Sequence, residues 1–136
     1  MKLESGRMSE ISSANSKEDF RQRTKVYASA VVRFYCTLSR TRVEVQVLGK
    51  QLLRSGTSVA ANYREASRAR SDSEFIAKIE QCAQEADESL LWLELLRDDC
   101  GIRSEPLIWL VRESDELIAI CVTMSKNVKK RLREET

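Results

Sequence analysis

The 136-residue chain contains no histidine, and this absence excludes a large part of enzyme chemistry. Ser-His-Asp and Cys-His nucleophilic sites, His-ligated zinc or haem, and acid–base catalysis by an imidazole all need that residue. Di-iron sites built from Glu-x-x-His units are excluded for the same reason. The leading interpretation of the sequence therefore has no catalytic residue, no metal ligand and no cofactor.

Glycine and proline are also scarce, with 4 and 1 residues respectively. An all-β chain turns about every ten residues and needs more of both, so the composition favours helices. Charged residues make up 32% of the chain and hydrophobic residues 42%, a balance that is typical of a folded globular chain and not of a disordered one. The length is that of one domain.

Long apolar runs are missing as well. The longest, residues 117–122, is far below the ~20 residues of a membrane-spanning helix, and the run at residues 90–93 is shorter still. Glu4 and Glu10 occupy the region where a signal peptide would carry its apolar core. The cysteines lack Cys-x-x-Cys spacing and lie on apolar faces, which favours reduced core residues over disulfides; they are Cys36, Cys82, Cys100 and Cys121. We expect a cytoplasmic protein with no membrane contact.

Apolar residues recur every three or four positions in four segments, which predicts four amphipathic helices. The stripes begin at Phe20, Val45, Phe75 and Leu107. Residues that favour helix ends lie between the stripes. The predicted N-terminal caps are Ser16 with Asp19, Thr41 with Glu44, Ser71 with Glu74, and Ser104 with Pro106 in the first turn that follows, and Gly101 is the predicted C-terminal cap of the third helix.

The links between these helices are short, and short links force helices that are neighbours in sequence to run antiparallel. The sequence therefore predicts an all-α, up-down-up-down antiparallel four-helix bundle over residues 16–133. Residues 1–15 are polar and rich in serine, and we expect them to form a flexible N-terminal tail that is not part of the bundle.

Three segments of the chain carry a resemblance to a known family. They are QLLRSGTSVAANYREA at residues 51–66, EFIAK at residues 74–78 and EADESLLWLELL at residues 85–96. Their joint spacing resembles the four-helix-bundle proteins of the 23S ribosomal RNA intervening-sequence family, and the resemblance extends over residues 20–131. It implies a homo-oligomeric ring, specifically a homopentamer, so the first expected partner is a second copy of the chain.

A relative in that superfamily is the accessory variability protein of diversity-generating retroelements, a basic pentamer that binds nucleic acid and a reverse transcriptase. The resemblance implies that RNA, DNA or a reverse-transcriptase-like protein is a further partner. Residues that match the family pattern are interpreted as structural, and they are Asn62, Glu65, Phe75, Glu85 and Trp92. Apolar residues away from the main stripes add to the expectation of an oligomer, and they are Val26, Val47, Ile108, Trp109 and Ile118.

The small residues and the asparagine in the middle of the second helix indicate that another helix packs closely against it. Small residues at 55–58 allow another helix to approach, either from the same chain or from a second subunit. Asn62 is a poor helix former, and we expect it to hydrogen-bond Glu85 or Glu88 on the third helix.

The charges of Arg64 and the adjacent Glu65 can be interpreted in two ways. They form either a similar pair across helices or a plain solvated face.

Charge is distributed unevenly along the chain. Residues 17–70 contain 12 basic and 4 acidic side chains, whereas residues 72–99 contain 2 and 9. Lys and Arg neutralise phosphates without reading bases, so a set of cations is a candidate for binding nucleic acid: Arg40, Arg42, Lys50, Arg54, Arg64, Arg68, Arg70, Lys129, Lys130 and Arg131. The alternative is that the acidic third helix neutralises these cations within or between subunits.

Two Glu-x-x-Glu units, Glu85 with Glu88 and Glu113 with Glu116, each place two carboxylates on one helical face. Antiparallel helices that brought both units together would offer the oxygen ligands that Mg²⁺ prefers. That arrangement is similar to the one in all-helical nucleoside triphosphate pyrophosphatases. The leading interpretation is a non-enzymatic oligomeric helical scaffold, and a Mg²⁺-dependent pyrophosphatase is the alternative.

Overall fold

The structure, a computed structural model, describes the backbone of residues 5–135 and the side chains of residues 17–135. It contains four α-helices, which are α1 (Ser5–Cys36), α2 (Val43–Ser67), α3 (Asp72–Asp98) and α4 (Glu105–Glu135). No strand occurs in the described part of the chain. The all-α prediction and the number of helices are confirmed.

The helices pack as a four-membered bundle. α2 lies against α1 and α3, and α4 lies against α3 and, less extensively, against α1. Within the described residues, the backbones of the two diagonal pairs, α1 with α3 and α2 with α4, do not approach each other closely. Each helix therefore occupies one corner of the bundle, and the α2–α3 interface lies on the opposite side from the α1–α4 interface.

α1 begins at Ser5 and not near Ser16 as the sequence predicts. Residues 1–4 lie outside the described residues, as do the side chains of residues 5–16. The expectation of a flexible tail over residues 1–15 therefore stays a prediction.

Two of the predicted helix ends are confirmed. Ser71 is the N-cap of α3, and its side-chain oxygen accepts a hydrogen bond from the backbone N–H of Glu74 at 3.1 Å. Gly101 follows α3 with a φ of 76°, a left-handed conformation that costs glycine no steric strain. This turn lets the N–H of Ile102 donate to the carbonyl of Leu96 at 3.1 Å.

The predicted cap at Thr41 is wrong. The N-cap of α2 is Arg42, and it has no side-chain capping bond. Ser39 takes over the local hydrogen bonds, because its Oγ accepts from the N–H groups of Thr41 at 3.3 Å and Arg42 at 3.2 Å. The Arg42 guanidinium then donates to the carbonyl of Cys100 at 3.0 Å, which joins the α1–α2 and α3–α4 links at one end of the bundle.

The small residues of α2 serve packing within the chain at Ser55 and Gly56. A Cβ atom on Gly56 would lie 2.8 Å from Cγ2 of Val31, so α1 approaches the backbone of α2 closely there. Ser55 is fully buried and its Oγ lies 2.7 Å from Oγ of Ser89 on α3. The close neighbours of Ser55 and Gly56 are therefore helices of the same chain, which is the first of the two interpretations of this segment.

Most of the cysteines behave as predicted. All four are free thiols, and Cys82, Cys100 and Cys121 are buried. Cys36, the last residue of α1, is exposed, so the prediction of a core position is wrong for that residue. In the described part of the chain, no helix combines the length and the apolar character that crossing a membrane requires.

Candidate nucleic-acid interface

The structure brings two basic clusters that are far apart in sequence to one end of the bundle. Arg131 near the end of α4 pairs with Asp72 at the start of α3, at 2.8 Å. Arg70 and Arg131 also line one cavity together with Lys17 of α1. We call this region the basic end, and its cations are Lys17, Arg64, Arg68, Arg70, Lys129, Lys130 and Arg131.

Three arginines of the basic end share one surface depression of about 370 Å³. Arg64 lies in the last turns of α2, and Arg68 and Arg70 follow in the α2–α3 link. The depression also includes the carboxylates of Glu65 and Glu74. Among the described residues, no carboxylate forms an ion pair with any of the three arginines, so their charges are available to a ligand.

A second cavity, of about 450 Å³, opens beside this depression, and Arg70 lines both. Its wall includes Lys17, a residue that the sequence did not single out. Lys17 is placed there by Tyr63, whose hydroxyl donates to the Lys17 carbonyl at 3.2 Å. The Tyr63 ring itself is buried edge-to-face against Phe20, with ring centroids 4.7 Å apart. Burial raises the pKa of the Tyr63 hydroxyl, which keeps it a neutral donor.

Other candidate cations are already neutralised by α3. Arg54 pairs with Glu88 at 2.9 Å and lies 3.5 Å from Glu85. Lys129 pairs with Glu80 at 2.6 Å, and the pKa of Glu80 is lowered first by the hydrogen bond from Lys129 and then by that from Ser125. The acidic third helix therefore neutralises part of the basic charge, as the alternative interpretation holds.

The remaining candidates lie away from the basic end. Arg40 is exposed in the α1–α2 link, which lies at the other end of the bundle. Arg42 is engaged by the Cys100 carbonyl and by Glu44, at 3.0 and 3.3 Å. Lys50 is exposed on α2. The ten candidates thus do not form one surface.

The expected partner of Asn62 is wrong. Its Nδ2 donates to the carbonyl of Ser58, one turn earlier in the same helix, at 2.9 Å. This local bond satisfies the buried amide without a second helix, and the carboxylate of Glu85 faces Arg54 instead.

Of Arg64 and Glu65, only Glu65 takes part in a pair across helices. Glu65 pairs across helices with Lys78 of α3 at 2.8 Å, and Arg64 is left without an ion-pair partner among the described residues.

The remaining residues of the family pattern are structural in position. Phe75 and Trp92 are half-buried and pack against the core. The indole Nε1 of Trp92 is buried and has no hydrogen-bond partner among the described side chains and backbone.

The two Glu-x-x-Glu units do not converge, so the predicted carboxylate cluster is wrong. Glu85 and Glu88 face Arg54 at the α2–α3 interface. Glu113 accepts two hydrogen bonds from Arg23 of α1, at 2.7 and 2.9 Å, on the opposite side of the bundle. These bonds also raise the pKa of the Arg23 guanidinium. The described residues contain no group of three or more acidic or cysteine side chains placed to hold a metal ion.

The fold and this surface define a small all-α four-helix-bundle protein. Comparison with known proteins then identifies the family. The sequence pattern described as 23S rRNA-intervening sequence protein matches residues 15–123, and the chain belongs to that family.

A solved structure is similar over most of the chain. It is the crystal structure of a protein of unknown function from the S23 ribosomal protein family of Bacteroides thetaiotaomicron, with 34% sequence identity and a TM-score of 0.71. The match covers 78% of this chain and 97% of that chain. No match to the chain is found among curated proteins.

Proposed function

We propose that this chain is a non-enzymatic scaffold that binds the phosphate backbone of nucleic acid at the basic end, without reading the base sequence. The observation that carries the proposal is the depression of Arg64, Arg68 and Arg70, three arginines that form no ion pair with a described carboxylate. Guanidinium groups bind phosphates strongly. Contacts to phosphates supply affinity and position but carry no sequence information directly.

We further propose that the scaffold is a homo-oligomeric ring, most simply a pentamer as the family resemblance implies. Two different apolar surfaces support a head-to-tail contact between copies. One is the groove between α1 and α4, where Val26 and Trp109 are 47% and 42% exposed. The other is the α3–α4 groove with Ile118 and Val122. They meet at α4, and a repeated contact between two unlike surfaces generates a closed ring when its rotation closes.

A ring strengthens weak binding of a nucleic-acid strand. Each copy would present its basic end on the same side of the ring, so one strand would meet several equivalent sites. After the first contact the remaining contacts are intramolecular, and the effective concentration of phosphate at each site is raised. A modest patch on each subunit is then sufficient for binding.

The test is the salt dependence of binding to single- and double-stranded oligonucleotides. The affinity falls as salt rises, with a slope that counts the phosphates engaged. The triple variant Arg64→Gln, Arg68→Gln, Arg70→Gln flattens that slope and leaves helicity and oligomer size unchanged. A variant with Lys129→Gln, Lys130→Gln and Arg131→Gln measures the contribution of α4.

Arg54→Gln is the matched control, because this arginine of the same helix is already paired with Glu88 and Glu85. It is expected to leave the slope unchanged. Tight, salt-insensitive binding that depends on one base sequence contradicts the proposal. Absence of binding at low salt also contradicts it, and a protein partner such as a reverse-transcriptase-like enzyme is then favoured.

A further inference from the structure

The cavity at the basic end is distinct from the arginine depression beside it. It lies where the α2–α3 link meets α1 at Lys17 and the last turns of α4, and its volume is about 450 Å³. We propose that this cavity receives the terminal phosphate of a nucleic-acid strand, so that the scaffold prefers phosphorylated strand ends. The inference rests on the proposed function, because the rest of the strand lies on the arginine depression.

The charge of the lining matches a terminal phosphate better than an internal one. Lys17, Arg70 and Arg131 contribute three positive charges, and Asp72 contributes one negative charge. Asp72 is already paired with Arg131 at 2.8 Å, whereas no described side chain forms an ion pair with Lys17 or Arg70. A phosphomonoester carries between about −1.5 and −2 charge at pH 7, while each internal phosphodiester carries one negative charge.

The dimensions and the remaining wall of the cavity fit one nucleotide. Sites for small ligands have volumes of about 300–1,000 Å³, and this cavity lies inside that range. Phe75 is half-buried in its wall, and an aromatic ring gives a base or a sugar an apolar surface to contact. Ser71 also lines the cavity. Its Oγ accepts from the N–H of Glu74, so its proton can be donated to a phosphate or sugar oxygen.

The strand has a continuous path between the two features. Arg70 lines both the depression and the cavity, so its guanidinium lies between the internal phosphates and the terminal one. Lys17 lines only the cavity, and it is exposed. Removing the Lys17 charge therefore tests recognition of the strand end, measured as the ratio of the affinities for phosphorylated and hydroxyl ends.

The experiment compares one fluorescent single-stranded oligonucleotide in three forms, with a 5′-phosphate, with a 3′-phosphate, and with hydroxyl groups at both ends. The wild-type chain is expected to bind at least one phosphorylated form about tenfold more tightly, the effect of about one charge-assisted hydrogen bond. Lys17→Gln lowers the affinity for the phosphorylated forms by about that factor, so that their advantage over the hydroxyl form is lost. Lys25→Gln, an exposed lysine of the same helix that lines the α1–α4 groove, retains the preference.

The other outcomes separate the inference from the proposed function. Equal affinity of the wild-type chain for all three forms overturns the end preference and leaves backbone binding intact. If no form binds at low salt, both proposals are wrong. Inorganic phosphate is added as a competitor. If it displaces the phosphorylated strand at a phosphate concentration no higher than the strand concentration needed for binding, the cavity is a site for free phosphate and the inference is overturned. A preference that survives Lys17→Gln overturns the assignment to this cavity.

Discussion

The hydroxyl of Tyr27 on α1 lies 2.6 Å from the hydroxyl of Ser114 on α4, and both residues are fully buried. Ser114 Oγ also donates to the carbonyl of Leu110 at 2.7 Å, so its single proton is already used and Tyr27 is the donor of the pair. Ser55 of α2 and Ser89 of α3 form a second buried pair at 2.7 Å. Each helix thus contributes one hydroxyl to a polar layer inside the core.

The polar layer is expected to contribute to the stability of the bundle, which can be tested by substitution of Tyr27. Tyr27→Phe removes one donor and leaves no buried group with an unsatisfied proton, because Ser114 keeps its bond to Leu110. We expect the free energy of unfolding to fall by about 1 kcal/mol, the net value of one hydrogen bond, as measured by denaturant unfolding. Tyr35→Phe is the control, since its half-buried hydroxyl has only a 3.4 Å contact with Gln46 and its loss has little effect. Equal stability of Tyr27→Phe and wild type contradicts the role of the layer.

The close approach of α1 to α2 is expected to make the bundle sensitive to a larger residue at position 56. Alanine is the better helix former by about 1 kcal/mol, but a Cβ atom at position 56 would lie 2.8 and 2.9 Å from the two γ-methyl groups of Val31. Val31 is β-branched and stiff at χ1, so it does not move aside. We expect Gly56→Ala to be destabilising by about 1–2 kcal/mol net of the propensity gain, and to regain part of that loss when combined with Val31→Ala.

Gly49→Ala is the matched comparison for that experiment. Its Cβ atom would lie 2.8 Å from Cδ1 of Leu38, which is the far end of a flexible side chain. The expected loss in denaturant unfolding is therefore smaller than for Gly56→Ala. If Gly56→Ala proves more stable than wild type, the helices separate at little cost and the packing argument is wrong.

The features that the sequence predicted correctly are local. The four stripes, the cap at Ser71 and the turn at Gly101 depend on residues within one helical turn of each other. The prediction of a cap at Thr41 was wrong because Ser39 organises the link: its Oγ accepts from the N–H groups of Thr41 and Arg42 and lies 3.2 Å from Oγ1 of Thr41. A choice between two neighbouring hydroxyl groups is decided by the geometry of the link and not by residue type.

The candidate site was less predictable because it depends on how the helices are rotated in the bundle. The spacing of Glu85 and Glu113 places each on one face of its own helix, but which neighbour that face meets is set by packing. Arg54 and Arg23 meet them on opposite sides of the bundle. Lys17 was missed because only the tertiary structure brings this part of α1 to the basic end.

The ion pair of Glu80 and Lys129 is expected to determine how Glu80 titrates, which gives a third prediction. The pKa of Glu80 lies below its ordinary value, because Lys129 and Ser125 donate hydrogen bonds to its carboxylate. A carboxyl group whose pKa is lower in the folded state stabilises the fold above its unfolded pKa, and this contribution is lost as the pH falls through the folded pKa. The pair is half-exposed, so the effect on stability is small and the pKa itself is the better readout.

Lys129→Gln is expected to raise the pKa of Glu80 towards its ordinary value, as followed by NMR titration of the side-chain carboxyl group. Lys126→Gln is the control, since Lys126 lines the same α3–α4 groove but forms no ion pair with Glu80 in the structure. An unchanged pKa in Lys129→Gln contradicts the assigned cause.

The α1–α4 groove makes a fourth prediction, on assembly. Val26 and Trp109 line a groove of about 440 Å³ and remain 47% and 42% exposed, an apolar area that a second copy would bury. Trp109→Glu places a charge there, and burying an unpaired charge costs more than the contact gains. We expect light scattering to give the 15.6 kDa mass of a single chain for Trp109→Glu and a multiple of it for wild type.

Val43→Glu is the control, because Val43 is 74% exposed at the start of α2 and does not line the groove, so the oligomer should persist. Circular dichroism separates loss of assembly from loss of fold, since an exposed position tolerates the charge within the subunit. A wild-type monomer at micromolar concentration contradicts the oligomer itself, whereas an intact oligomer in Trp109→Glu contradicts only this choice of surface.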